Sequence, residues 1–468
     1  MLLCVLAAGI SGLGFVSPLT STVLSITFAA FLIFWANPVG LPALAILWIQ
    51  AVAFGGAVYD PEQQFANAVS IAGLHLTLQL FTLFGITIRS LFEWFFHPQT
   101  FGHSRWILRS FALWLLFFLI TVISALWGKN SGYVNATEPL RASMSLAALF
   151  YGMILTAKIK RVPWVAEWLL RIAAVVLVLV AAGLYWNHIA YFYVPLGACA
   201  FWYAVHQKRW LLAAVCGVAP IAIAFFTGDT LTLIASTLLG LVAGFWLFHS
   251  NKSLGRSATS RWTRLVFPIS FLLLLAVLFS TYSPVYDTST STDLTDRFVS
   301  KLFLDRGIFW RAAWARVIEN PEVVSPAGRP LLVYFPGSGL QDDLWKIHVH
   351  NSYLEMLRQT GILGGVIFLI LVIRFWLKLR IALLDSVIPI ERVFAGAALI
   401  TVLVGATTDI YPFDFFVGPW VWLWAGIAIG LSQSRYATNP SVSTSQSATL
   451  VAQRIPVNRG LGEQARPN

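Results

Sequence analysis

Charge is what this 468-residue chain has least of: Asp, Glu, Lys and Arg make up 11% of it, against 58% apolar residues and a mean hydropathy of +0.75. Soluble domains carry roughly a quarter charged residues, so a water-soluble globular protein is excluded and lipid is the expected solvent for most of the chain. Cysteine is nearly absent. Cys4, Cys199 and Cys216 sit inside apolar runs, without the spacing of a metal site or a disulfide framework, and read as small apolar side chains. No basic flank precedes the first apolar run, so Met1-Leu2-Leu3-Cys4 is expected to open a first span and not a cleaved leader. The net charge of +11 does not mark a nucleic-acid binder, because the basic residues are scattered over short loops and no aromatic-basic platform gathers them.

What the sequence has in abundance is apolar runs. A membrane-spanning helix needs about 20 mostly apolar residues, and such runs recur from Leu2 to Leu431, including 68–92, 107–127, 265–282 and 361–377. There are about 14 candidates, or 12 if two short ones are re-entrant. The expected fold is an all-α polytopic membrane protein of about 12–14 transmembrane helices. With the N-terminus in the cytoplasm, 21 of the 31 Lys and Arg fall on the cytoplasmic side, the bias that sets orientation. Both termini are then cytoplasmic. Four parts are expected: a transmembrane bundle over 1–282, a large periplasmic loop over 283–360, further transmembrane helices over 361–431, and a cytoplasmic tail over 432–468. That tail is rich in Ser, Thr, Gln and Asn and reads as disordered.

A loop as long as 283–360 inside a membrane bundle is usually functional. Within it, Asp305 to Glu319 has helical periodicity, with Phe309, Trp310, Ala313, Trp314, Val317 and Ile318 as one apolar stripe and Asn320-Pro321 as its stop. Two tryptophans on such a face suit a helix lying at the membrane surface, in contact with membrane lipids. Arg306 stands one turn before Phe309 and Trp310. A glycine-bearing turn follows at Pro336-Gly337-Ser338-Gly339. Ser352 and Glu355 then have capping-box spacing, so a helix is expected to start at Ser352, with His350 just before its N-terminus, where backbone N–H groups favour anions.

The ordered set resembles the O-antigen ligase and polymerase superfamily. The resemblance rests on His350-Asn351, nine residues from Ser352 to Thr360, then Gly361-Ile362-Leu363-Gly364. Upstream it includes Arg306-Gly307-Ile308-Phe309-Trp310, Asn320-Pro321 and Gly337-Ser338-Gly339. It covers about residues 220–380. It implies a GT-C-like, metal-independent, inverting glycosyltransferase of the bacterial cytoplasmic membrane, requiring no cofactor. The implied donor is an undecaprenyl-pyrophosphate-linked glycan, and the implied acceptor is lipid A-core (O-antigen ligase) or a second glycan (O-antigen or exopolysaccharide polymerase). The chemistry asks for a base beside the attacking hydroxyl, which an imidazole supplies near neutral pH, and for cations on the developing pyrophosphate charge, where Arg offers a bidentate fork. His350 and Arg306 are assigned those two roles. The family commonly carries a Ser-Arg pair on an earlier outer turn, and the corresponding Phe226-Thr227-Gly228-Asp229-Thr230 lacks the arginine. Arg141, Arg297 or Arg311 is the expected substitute.

Plainer readings stand beside these. Asn351 serves either as a helix cap or as a substrate contact. Gly361, Gly364 and Gly365 suit close packing better than chemistry. Asp342, Asp343, His348 and His350 fit no metal-ligand spacing well. His75 and Gln79, one turn apart in an apolar run, read as an interhelical hydrogen-bonding pair. A transporter for lipid-linked glycans would place ionisable residues deep in its spans, whereas this chain keeps nearly all charge in its loops.

Overall fold

The structure is a computed structural model that describes residues 1–54, 69–71, 74–76, 78–98, 105–133, 136–156, 162–182, 187–226, 230–249, 306–333, 345–346, 349, 351–385, 389–405 and 418–438. The described part is built from helices: α1 (Leu2–Gly12), α2 (Pro18–Trp35), α3 (Leu41–Phe54), α4 (Leu78–Phe96), α5 (Arg105–Asn130), α6 (Glu138–Leu155), α7 (Val162–Ala181), α8 (Asn187–His206), α9 (Trp210–Phe226), α10 (Thr230–His249), α11 (Arg306–Glu319), α12 (Ser352–Asp385), α13 (Pro389–Ile400) and α14 (Gly418–Thr438). Two short antiparallel hairpins accompany them, β1 (Val69–Ile71) with β2 (Leu74–Leu76) and β3 (Leu332–Val333) with β4 (Trp345–Lys346).

This is an all-α polytopic membrane protein. Among the described residues, helices over Arg105–Asn130, Val162–Ala181 and Ser352–Leu383 are long and apolar enough to cross a membrane, and shorter apolar helices accompany them. The apolar run 265–282 lies outside the described residues. The run 68–92 departs from expectation. It opens with the β1–β2 hairpin, and its helix begins only at Leu78 and continues to Phe96. His75 is therefore a strand residue and Gln79 a helical one, so they are not one helical turn apart. The β-branched Val69 and Ile71, with Gly73 between the strands, favour a tight hairpin over an extra turn of helix. At the other end of the chain, α14 runs to Thr438, past Ser432.

Helix α6 is the centre of the bundle, buried continuously from Ala142 to Leu155. Its neighbour α14 approaches to backbone contact. A methyl group at Gly152 would lie 2.2 Å from the Leu423 carbonyl oxygen, and one at Gly426 would lie 1.9 Å from that of Leu149. Since lipid tails are as apolar as the core, such small-residue contact is how membrane helices gain van der Waals energy. Cys199 and Cys216 are buried and unbridged in this packing, as small apolar residues are.

Two sets of contacts define the ends of the bundle. At one, Arg374 donates to Ser110 Oγ (3.1 Å) and to the Trp106 carbonyl (3.0 Å), and Lys378 Nζ stands 5.4 Å from the Trp106 ring. At the other, the Ala327 N–H donates to the Ser124 carbonyl (2.9 Å), and a methyl at Gly128 would lie 1.9 Å from the Ala327 carbonyl oxygen. Along α5 these ends are 22 residues apart, about 33 Å at helical rise, close to the thickness of a bilayer core. The basic residues near 105–109 and 374–380 thus share the end opposite to α11 and to the segment that follows it.

Helix α12 is broken at Gly361, whose φ of +78° and ψ of −177° belong to a region reached almost only by glycine. The break is docked against the chain that follows α11. The Ile362 and Leu363 N–H groups, which have no partner in their own helix, donate to the carbonyls of Glu322 (3.0 Å) and Val323 (3.0 Å). A Cβ at Gly361 would meet the Val323 oxygen at 2.7 Å and the Glu322 oxygen at 2.8 Å. Gly361→Ala should therefore destabilise the protein by at least about 3 kcal/mol. Gly132→Ala should cost about 1–2 kcal/mol, because φ there is +77° but the space is open. Thermal unfolding in detergent ranks the two variants, and an equal loss in both would contradict this account of the break.

Candidate functional site

The site is assembled from three stretches that meet at the α11 end of the bundle. The first is α11. Its last N–H contact is Asn320 to the Arg316 carbonyl (3.2 Å), and Pro321 stops it there, having no N–H to continue the ladder. The apolar stripe expected on this helix is split in two. Phe309, Trp310 and Ala313 are buried against Leu331, Val349 and Leu354, whereas Trp314 and Ile318 remain 50% and 62% exposed. A six-residue stripe is wider than the small surface offered by 331, 349 and 354, so only one edge of it is covered.

The second stretch is 320–333, fixed by backbone groups more than by apolar burial. Besides the contacts at Gly361 and Ser124, the Gly328 N–H donates to Gln359 Oε1 (3.2 Å) and Arg329 pairs with Glu322 (3.3 Å). The β3–β4 pairing then returns the chain toward α11, with Leu332 opposite Lys346 and Val333 opposite Trp345. The Gly337-Ser338-Gly339 turn lies between these strands, outside the described residues.

The third stretch is the nine-residue arm of α12 before Gly361. Its cap is Asn351, one of the two roles read for that residue, and the Ser352–Glu355 capping box is not formed. Ser352 is already the first helical residue, and Asn351 Oδ1 accepts from the N–H groups of Tyr353 (3.1 Å) and Leu354 (3.0 Å). Asn351 is thus the N-cap, one residue earlier than the Ser352–Glu355 spacing suggested, and Glu355 has another task. Its buried carboxylate receives the Arg358 Nε (3.2 Å) and Nη2, while Arg358 Nη1 donates to the Arg329 carbonyl. Gln359 Nε2 bridges Glu355 to Glu138 (2.9 Å) at the start of α6. A buried ion pair of this kind is hard to break, because removing one partner strands a charge at about 3–5 kcal/mol.

The spacing His350-Asn351, nine residues, Gly361 thereby acquires a physical meaning. It is the length of a capped helical arm that ends on a glycine break, followed by Gly364 and Gly365, which pack closely against Thr360 and Leu357. His350 lies outside the described residues, but both of its neighbours are fixed: Val349 is fully buried against α11, and Asn351 caps the arm. Arg306 opens α11 one turn before Phe309 and Trp310, and its side chain is outside the described ones. Arg311 is half-buried on the same helix, Arg141 lies in the first turn of α6 at this end of the bundle, and Arg297 lies outside the described residues. Asp342, Asp343 and His348 do as well; among the described residues no group of three His, Cys, Asp or Glu is placed to hold a metal.

Some features of this region escaped the sequence reading. Trp310 reads as part of the apolar stripe, yet its Nε1 is buried without a hydrogen-bond partner among the described residues, and a buried orphan donor asks for an explanation. The Glu355–Arg358–Gln359 set left one trace, two opposite charges three residues apart just before an apolar run.

Residues 216–369 match the family model described as O-antigen ligase. This stretch belongs to the O-antigen ligase and polymerase superfamily. The match runs from α9 through α11 and the capped arm into the apolar part of α12, so α11, the 320–333 segment and the capped arm all fall inside the matched residues. No curated protein matches the chain. The family is a glycosyltransferase-like group of membrane enzymes acting on lipid-linked glycans and glycan acceptors in general.

The cap provides a direct test of Asn351. Loss of a cap costs about 1 kcal/mol, so Asn351→Ala should lower stability by that amount, whereas Asn351→Asp, which keeps an accepting oxygen, should restore it. If the Asp variant matches wild type in stability yet loses transfer, the amide contacts substrate. Equal losses of stability in both variants would contradict the capping role.

Proposed function

We propose that the chain is a metal-independent, inverting glycosyltransferase that moves a glycan from undecaprenyl pyrophosphate to an acceptor hydroxyl on lipid A-core. In this reading the 283–360 loop faces the periplasm. The observation that carries the proposal is the convergence, within the matched O-antigen ligase domain, of the stretch that opens with Arg306 and the capped arm that follows His350.

His350 takes the proton of the acceptor hydroxyl as its oxygen attacks the anomeric carbon, and the bond from that carbon to the pyrophosphate oxygen breaks on the opposite face. The leaving undecaprenyl pyrophosphate gathers negative charge. Arg306 balances it with a guanidinium fork, with Arg311 and Arg297 as the further cations in place of the missing family arginine. Asn351 binds at the same place and, through its cap, sets the direction in which the chain leaves His350. Ligation and polymerisation share this chemistry and differ in the acceptor.

The test is transfer by the purified full-length protein, with a chelator present, from a polyprenyl-pyrophosphate glycan to lipid A-core or to a second donor molecule. His350→Ala should lower the rate by about 10²–10⁴-fold at matched protein level, and His348→Ala far less. Arg306→Lys should retain more activity than Arg306→Ala, because the point charge survives without the fork. Transfer only to a second donor would convert the reading to a polymerase. Near-normal transfer by the His350→Ala protein would remove the assigned base.

A further inference from the structure

Beside the proposed transfer site, and independent of whether that reaction is assigned correctly, a shallow cleft with about 20 Å³ of enclosed space lies between the end of α11, the 320–329 segment and the break in α12. Three guanidinium groups line it, those of Arg316, Arg329 and Arg358, against one carboxylate, Glu322. The demands already made on these arginines differ. Arg358 is spent on Glu355 and the Arg329 carbonyl. Arg329 is a third exposed and makes a single 3.3 Å contact with Glu322, which leaves most of its N–H donors unused. Arg316, in the last turn of α11, forms no ion pair with any described residue, and a cation there is also favoured by the helix C-terminus.

The floor of the cleft is the point where α12 enters its apolar course. Ile362 lines the cleft and is 41% exposed, and below it Val366, Leu369, Ile373 and Leu377 continue as one exposed stripe at helical spacing. Next in sequence to the lining residues Val317 and Glu322, Ile318 and Val323 are more than 60% exposed. A basic cleft at the head of an apolar stripe matches an amphiphile with an anionic head and acyl chains. A free anion would have no use for the stripe.

We propose that this cleft binds the phosphate headgroup of an anionic membrane lipid, held by Arg316 and Arg329, with its acyl chains along the Ile362–Leu377 face of α12. The lipid would seal the seam between the 320–329 segment and the helix break. Arginine suits the role because its planar fork meets two phosphate oxygens at once.

The experiment uses the full-length protein in detergent, with native mass spectrometry to count retained lipid after incubation with phosphatidylglycerol or phosphatidylcholine. Wild type should retain one phosphatidylglycerol beyond its phosphatidylcholine count, and inorganic phosphate should not displace it. Arg316→Glu should weaken that retention by about tenfold or more, Arg316→Lys should weaken it less, and Lys129→Ala, an exposed basic residue at the same end of α5, should leave it unchanged. Because Arg316 is paired with no described residue, folding should survive these changes, and thermal unfolding without added lipid checks that it does. Equal retention of the two lipids, full retention by Arg316→Glu, or displacement by inorganic phosphate would each overturn the lipid assignment.

Discussion

The α11 end of this protein depends on one docked contact, the seating of residues 322–324 on the break at Gly361. A helix that stops and restarts at a membrane surface leaves N–H groups without partners, and in lipid those are costly. Here the carbonyls of Glu322 and Val323 receive the N–H groups of Ile362 and Leu363, so the loop closes the wound in the helix and the helix fixes the loop. Only glycine permits the approach, since any side chain at 361 would occupy the space of those carbonyls. Ala327 and Gly328 extend the seam to α5 and Gln359, and Gln359 joins it to Glu138 at the head of α6.

From that seam the layout of the proposed site follows. The arm of α12 before the break is short, capped by Asn351 and tied down by a buried ion pair, so it cannot swing without stranding a charge. Val349 is held on α11 in a small apolar cluster, which brings the chain that carries His350 to the helix that Arg306 opens. In the proposed transfer, a base at His350 and a cation at Arg306 would stand on separate, supported elements, which suits a reaction whose rate depends on holding two large substrates at one distance.

Much of this was legible beforehand, and what was not has physical causes. Most of the apolar runs among the described residues, the stop at Asn320-Pro321, the helix start at Ser352 and the packing role of Gly361, Gly364 and Gly365 are local properties, and these are found in the structure. Asn351 and Ser352 both make good N-caps, and only the path of the preceding chain, with Val349 buried, decides for the Asn351 cap over the Ser352–Glu355 capping box. The hairpin at 69–76 was hidden inside a run whose overall hydrophobicity suits a span equally well. The divided face of α11 and the bridge from Gln359 to Glu138, 221 residues away, depend on tertiary partners that no window along the sequence contains.

The most direct measurement of the central contact is hydrogen exchange at the Ala327 amide in the membrane-reconstituted protein. Ala327 lies in a turn without regular secondary structure, so protection there can arise only from its bond to the Ser124 carbonyl and the docking of the whole segment. The account predicts protection comparable to that of the α5 core, lost together with that of Ile362 and Leu363 in one opening. Exchange of Ala327 at the rate of a free loop, while Ile362 and Leu363 stay protected, would contradict it.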